Sequence, residues 1–152
     1  MILYIEDILR EVDILNWYKG EAKKHGDSEA VVVQSDADSH DAILYHLRNA
    51  VTDVLMFANA NRVWFTCEQD CETLTFSLSP IREGREYLLG VLRDVIRQYL
   101  VCEVRRLWMM NIREEWADSS QREALRENIR KAMNDVTAMG TKVRRRYAPF
   151  GI

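Results

Sequence analysis

Residues 62–80 read RVWFTCEQDCETLTFSLSP, and their period decides the class of the fold. Val63, Phe65 and Cys67 alternate with Trp64 and Thr66; beyond the polar Glu68-Gln69-Asp70, Leu74, Phe76 and Leu78 alternate with threonines and serines. A period of two on both sides of a short polar break specifies a β-hairpin, here over about 62–78. Pro80 closes it, since proline has no N–H for a ladder, and can open the next helix. A two-stranded hairpin is marginal in water, so this one must pack on the rest of the chain or on a neighbour.

Outward from the hairpin the period is helical. Before it, SHDAILYHLRNAVTDVLMFANAN (39–61) sets Ile43, Leu44, Leu47, Val51, Val54, Leu55 and Ala58 on one stripe. Asp38 or Ser39 suits its N-cap, and Asp41 suits the positive first turn. The N-terminal YIEDILREVDILNWYKG spaces Ile5, Ile8, Leu9, Val12 and Leu15 as a helix. Between these two lies a polar connection with a β-branched run, AVVVQ (30–34), that suits an edge strand.

After the hairpin, REGREYLLGVLRDVIRQYLVCEVRRLWMMNIREEW (82–116) is one long helical pattern. Leu88, Val91, Leu92, Val95, Ile96, Tyr99 and Val104 are expected to face one way, and Leu107, Trp108, Met109, Met110 and Ile112 then surround the helix with apolar groups. A helix apolar all round is buried or meets a partner. A fourth helix follows, with Ser120 and Glu123 as a capping box, a seam of Leu125, Ile129, Ala132, Val136 and Met139, and Gly140 as its stop. The expected fold is therefore mostly α: about four helices in a bundle, one inserted hairpin, a single domain over 1–142 and a distinct segment over 143–152.

Composition narrows the functional classes. The chain has 152 residues, 47% hydrophobic and 30% charged, with only 6 Gly and 2 Pro. These values suit one globular domain. No apolar run approaches the roughly 18 residues that span a bilayer. Glu6, Asp7, Arg10 and Glu11 interrupt the apolar N-terminus, unlike a secretory leader; the expected site is the cytoplasm. Three cysteines, an odd number, suit a reducing compartment. Cys67 and Cys71 bracket EQD and could face each other across the hairpin, but His25, His40 and His46 lack the spacing of a zinc site, and small half-buried thiols are the expected reading. SDADSHD (35–41) lacks the Gly and Glu of a calcium loop and reads as a solvated helix start. No nucleophile elbow, phosphate loop or paired metal-histidine motif occurs, so neither an enzyme nor a cofactor is expected.

The net charge of −3 hides a gradient. Residues 1–60 hold 5 basic and 11 acidic side chains, 61–112 hold 7 of each, and 113–152 hold 9 basic and 6 acidic. Opposite signs at the two ends suit like subunits meeting head to tail, or a partner of opposite sign, although on its own such a gradient is more often just solvated surface. The closing TKVRRRYAPFGI carries Arg144, Arg145, Arg146, Tyr147 and Phe150 with no apolar period, and Pro149 blocks a helix there. Basic aromatic arms of this kind dock on partners, where Arg and aromatic side chains carry much of the energy. With Trp108, Met109 and Met110, these five residues form the expected partner and assembly interface. A net acidic domain without a reading module weighs against nucleic acid, although arginines and aromatics can meet phosphates and bases.

This layout resembles small structural proteins of tailed bacteriophages and prophages, the head–tail connector or head-completion type. The resemblance lies in the N-terminal helix, SDADSHDAILYHLRNAVTDVL, the hairpin, the long helix ending VRRLWMMN, REALRENIRKAM and the basic KVRRRYAPF. It implies a virion protein that assembles into a homo-oligomeric ring, touches neighbouring virion proteins, and passes from the bacterial cytoplasm into the particle. The alternative expectation is a small helical adaptor or regulator that binds a host protein or nucleic acid.

Overall fold

The computed structural model describes residues 1–24, 40–59, 64–112 and 119–137. The fold is mostly α. Its elements run β1 (Ile2–Tyr4), α1 (Ile5–Lys24), α2 (His40–Asn59), β2 (Trp64–Gln69), β3 (Thr73–Ser79), α3 (Leu88–Ile112) and α4 (Arg122–Thr137). The hairpin β2–β3 is present, and β1 joins it as a third antiparallel strand, in the order β1-β3-β2. That strand was not expected. Three residues are too few to display a period, and only Leu3 of the three is buried.

The sheet alternates as its sequence dictates. Phe65, Leu74, Phe76 and Leu78 turn inward and are buried, while Trp64, Thr66, Ser77 and Ser79 face out. Phe65 and Phe76 stack with ring centres 5.5 Å apart. The turn is built by Asp70, whose carboxylate accepts hydrogen bonds from the backbone N–H of Glu72 (2.7 Å) and Thr73 (2.6 Å) and from the Thr73 hydroxyl (2.8 Å). Those bonds hold the Asp70 carboxyl below the ordinary carboxylate range. The register pairs Cys67 with Phe76 and Gln69 with Leu74, which leaves Cys71 exposed in the turn. The two cysteines therefore do not face each other. Burial, with Glu68 nearby, pushes the Cys67 thiol up to about 11, so it is an inert, half-buried group.

The sheet is tied to the helices through backbone-mimicking contacts. Asn59 at the end of α2 donates through Nδ2 to the Phe65 carbonyl (2.9 Å) and accepts through Oδ1 from the Phe65 N–H (3.0 Å). One amide side chain thus pairs like an added strand residue. At the other edge, the Ile5 N–H donates to the Glu72 carbonyl at 2.8 Å, where β1 becomes α1.

Helix α3 packs against each of the other three helices. Its buried face is Leu92, Ile96, Tyr99, Leu100, Val101, Val104 and Met109. Val91, expected on that face, is 54% exposed, because it stands about 100° around the helix from Leu92 and the packed surface does not extend so far. The helix begins at Leu88, the first residue of its apolar stripe, and not at Arg82 where the expected helical segment starts. Gly84 has φ +76°, and residues 81–87 form turns rather than helix. This connection is used: the Arg82 N–H donates to the Val136 carbonyl (3.1 Å) and the Arg85 guanidinium to the Asp135 carbonyl (2.6 Å). Two carbonyls of the last turn of α4 thereby gain the partners that a helix C-terminus lacks.

The stripes of α1, α2 and α4 are as expected, with Ile8, Val12, Leu47, Val54, Ile129 and Val136 fully buried. The AVVVQ run, the caps at Asp38 and Ser39, and Met139 and Gly140 lie outside the described residues. Leu92→Ala should lower stability by about 2–5 kcal/mol in urea unfolding, the usual cost of truncating a fully buried leucine. Val91→Ala should stay within about 0.5 kcal/mol. Equal effects of the two substitutions would refute this facing of α3.

Candidate functional site

Of the eight expected interface residues the described structure holds three, Trp108, Met109 and Met110. Met109 is 1% exposed in the single subunit, although it is not one of the residues of the main apolar cluster. Trp108 is partly buried and packs against that cluster. Met110 is exposed, and its sulfur accepts a contact from Arg106 Nη1 at 3.2 Å. Arg144, Arg145, Arg146, Tyr147 and Phe150 lie outside the described residues.

What the structure does gather is a cluster of ionised groups between α2, α3 and α4. Asp53 comes from α2; Tyr99, Glu103 and Arg106 from α3; Arg122 and Arg126 from α4. Arg126 Nη2 donates to both Asp53 oxygens at 2.6 Å. The Tyr99 hydroxyl donates to Asp53 Oδ2 and accepts from Arg126 Nε at 3.3 Å. Arg122 bridges the two carboxylates: Nη2 lies 3.3 Å from Asp53 Oδ2 and Nε 3.1 Å from Glu103 Oε2. The second of these is a charge contact rather than an aligned hydrogen bond. Arg106 grips Glu103 with two bonds, 2.9 Å from Nε and 2.7 Å from Nη2. An aromatic wall completes the cluster. Phe57 meets Tyr99 edge-on at 5.6 Å, and the Arg126 and Arg130 guanidiniums lie 5.4 and 5.8 Å from its ring centre.

The protonation states follow from this packing. Burial alone would raise the Asp53 carboxyl, but the hydrogen bonds from Arg126 and Tyr99 outweigh it and hold the group below its ordinary value. Burial and the bond to Asp53 push the Tyr99 phenol up to about 12. The bond to Asp53 raises Arg126, and the bond to Glu103 raises Arg106. Each of these four shifts moves a group away from neutral pH. The cluster is suited to holding helices together by fixed charge, not to passing a proton.

A second polar pair joins α2 to α3, the buried His46 through Nε2 with the side-chain amide of the exposed Asn111 at 2.8 Å. Burial lowers the pKa of His46 and keeps the ring neutral. Among the described residues no group of three His, Cys, Asp or Glu could hold a metal ion, and no helix is long and apolar enough to cross a membrane.

Sequence reasoning missed this cluster. The available signal was position: Asp53 interrupts the stripe between Val51 and Val54, Glu103 sits between Val101 and Val104, and Arg122, Arg126 and Arg130 repeat every four residues beside the seam of α4. Comparison with family models, curated proteins and solved structures finds no match to this chain.

His46 sets a pH dependence of known sign. Its folded pKa lies below the ordinary 6.5, so below that pH the unfolded chain binds a proton that the folded chain refuses. Stability should therefore fall as pH drops from 7 toward 5. His46→Gln, which can keep the bond to Asn111 but does not titrate, should flatten the melting temperature across that window. A wild-type melting temperature that is constant or rises from pH 7 to 5 would contradict the buried neutral imidazole.

Proposed function

We propose that this chain is a structural subunit that works by assembling with copies of itself and with neighbouring virion proteins, in the manner of a phage or prophage head–tail connector. The observation that carries the proposal is the distribution of large apolar side chains. Trp64, Tyr87 and Met56 are 75%, 75% and 72% exposed, although the subunit has a well-filled core that excludes them. Exposed aromatic side chains of this size are characteristic of surfaces that meet a partner. The sheet adds to this reading, since β1 presents an outer edge among the described residues and β2 does so beyond Phe65, which Asn59 covers. The ionised cluster of α2, α3 and α4 supports it too: its groups are spent on one another, which suits a rigid body to be placed and not a reacting centre.

Negative-stain microscopy and native mass spectrometry of the protein, alone and co-expressed with the products of neighbouring genes, test the proposal. Closed rings of uniform copy number, or stable incorporation into a particle, are the expected result. A protein that stays monomeric in every combination, and instead shifts DNA in a salt-sensitive gel assay, would establish the adaptor or regulator in its place.

A further inference from the structure

An open groove of about 1280 Å³ runs where β1 turns into α1, bordered by the first turn of α2 and the turn of the hairpin. Its rim carries four carboxylates, Glu6, Asp7, Asp13 and Glu72, against one guanidinium, Arg10. Its floor is apolar, with Leu9 and Leu44 half-buried and Tyr4 and Ile14 about half exposed, at 58% and 48%. A groove with acidic rim and apolar floor fits a basic, aromatic, extended peptide: guanidiniums pair along the rim while rings lie on the floor.

We infer that this groove receives residues 141–152, TKVRRRYAPFGI, of a second copy of the chain. This rests on the assembly reading above and names the contact that would join successive subunits. The choice of occupant is made by charge. Two stretches of ten or more residues lie outside the described structure. Residues 25–39 contain Asp27, Glu29, Asp36 and Asp38 and no Lys or Arg, so the rim repels them. Residues 141–152 contain Lys142 and Arg144–Arg146 and no Asp or Glu, with Tyr147 and Phe150 following directly. The choice of a second copy rests on the assembly reading. The last turn of α4 is fastened to Arg82, just past the end of β3, while the groove adjoins Glu72 at the beginning of that strand. The root of the arm and the groove are therefore separated by roughly 20 Å of strand, at about 3.3 Å per residue. An extended segment of fifteen residues spans more than that distance, so it is the assembly reading, and not reach, that assigns it to a neighbouring copy. That contact is heterologous, the kind that closes into a ring or continues as a filament.

Photo-crosslinking of the full chain tests the contact. Protein with Tyr147→benzoylphenylalanine is prepared in light and 15N-labelled forms, mixed equally, irradiated and digested. Crosslinks between chains of different label should join position 147 to peptides holding residues 4–14, 40–44 or 71–72. Their yield should fall about fivefold or more at 0.5 M salt, where charges are screened within a few ångströms, and similarly in Asp7→Lys/Glu72→Lys protein with an unchanged circular dichroism spectrum. Same-label crosslinks alone would place the arm in its own subunit's groove and overturn the inference. So would crosslinks mapped elsewhere, or none up to the solubility limit. Rings seen by microscopy with crosslinks elsewhere would remove this contact and leave the assembly reading standing. The expected crosslinks in a protein that forms only open chains would retain the contact and remove the ring.

Discussion

A carboxylate leaves water only when positive charge and hydrogen-bond donors go with it. Among the described residues Glu103 does so, and Asp53 does so in part, at the meeting of three helices. Glu103, 3% exposed on the central helix, is gripped by Arg106 of its own helix and met by Arg122 of α4. Asp53 on α2 is met by Arg122, Arg126 and the Tyr99 hydroxyl. Apolar packing would tolerate small slips of one helix along another; a shared guanidinium would not, because a slip of one turn, about 5.4 Å, leaves a buried charge alone. The cluster thus sets the register of α2, α3 and α4, and the sheet is placed by that register through Asn59 and through the fastening of α4 to Arg82.

This arrangement has consequences for what the molecule can do. On the proposed assembly reading, the contacts that place the sheet and the start of α1 on the helices also fix the groove relative to the end of α4. A subunit whose joining parts are fixed in space can specify the curvature of an assembly, whereas loosely coupled parts would give a range of sizes. Asp53, Tyr99, Arg106 and Arg126 are displaced from neutral pH by their contacts, so these four groups do not titrate over ordinary changes of cellular pH. The acid-sensitive element is elsewhere, at the uncharged His46.

Much of the fold was legible in the sequence, for identifiable reasons. The hairpin could be read because Phe65, Leu74, Phe76 and Leu78 alternate cleanly over both strands, and the stripes of α1, α2 and α4 because each repeats over several turns. β1 could not be read, since Ile2–Tyr4 is shorter than any period it could display. The start of α3 was misplaced because Arg82–Tyr87 has helical composition; only the left-handed backbone at Gly84 and the contacts to α4 oppose it. Met109 was assigned to a partner because an all-round apolar helix is ambiguous between burial and association, and in the single subunit its side chain is buried. The ionised cluster was illegible for a different reason. Arginine and aspartate on a helix ordinarily mean a solvated face, and only the three-dimensional convergence of Asp53, Glu103, Arg122 and Arg126 gives them another role.

The central claim is that Asp53 and Arg126 are energetically coupled and thereby lock α2 to α4 across α3. A double-mutant cycle with Asp53→Ala, Arg126→Ala and the pair, followed by urea unfolding, measures that coupling directly. With both side chains about a quarter exposed or less, the coupling should fall near 1.5 kcal/mol, between the roughly 0–1 kcal/mol of a surface pair and the roughly 3–5 kcal/mol lost on breaking a buried one. A coupling within about 0.3 kcal/mol of zero, the scatter expected of independent sites, would mean that apolar packing alone sets the register of the helices.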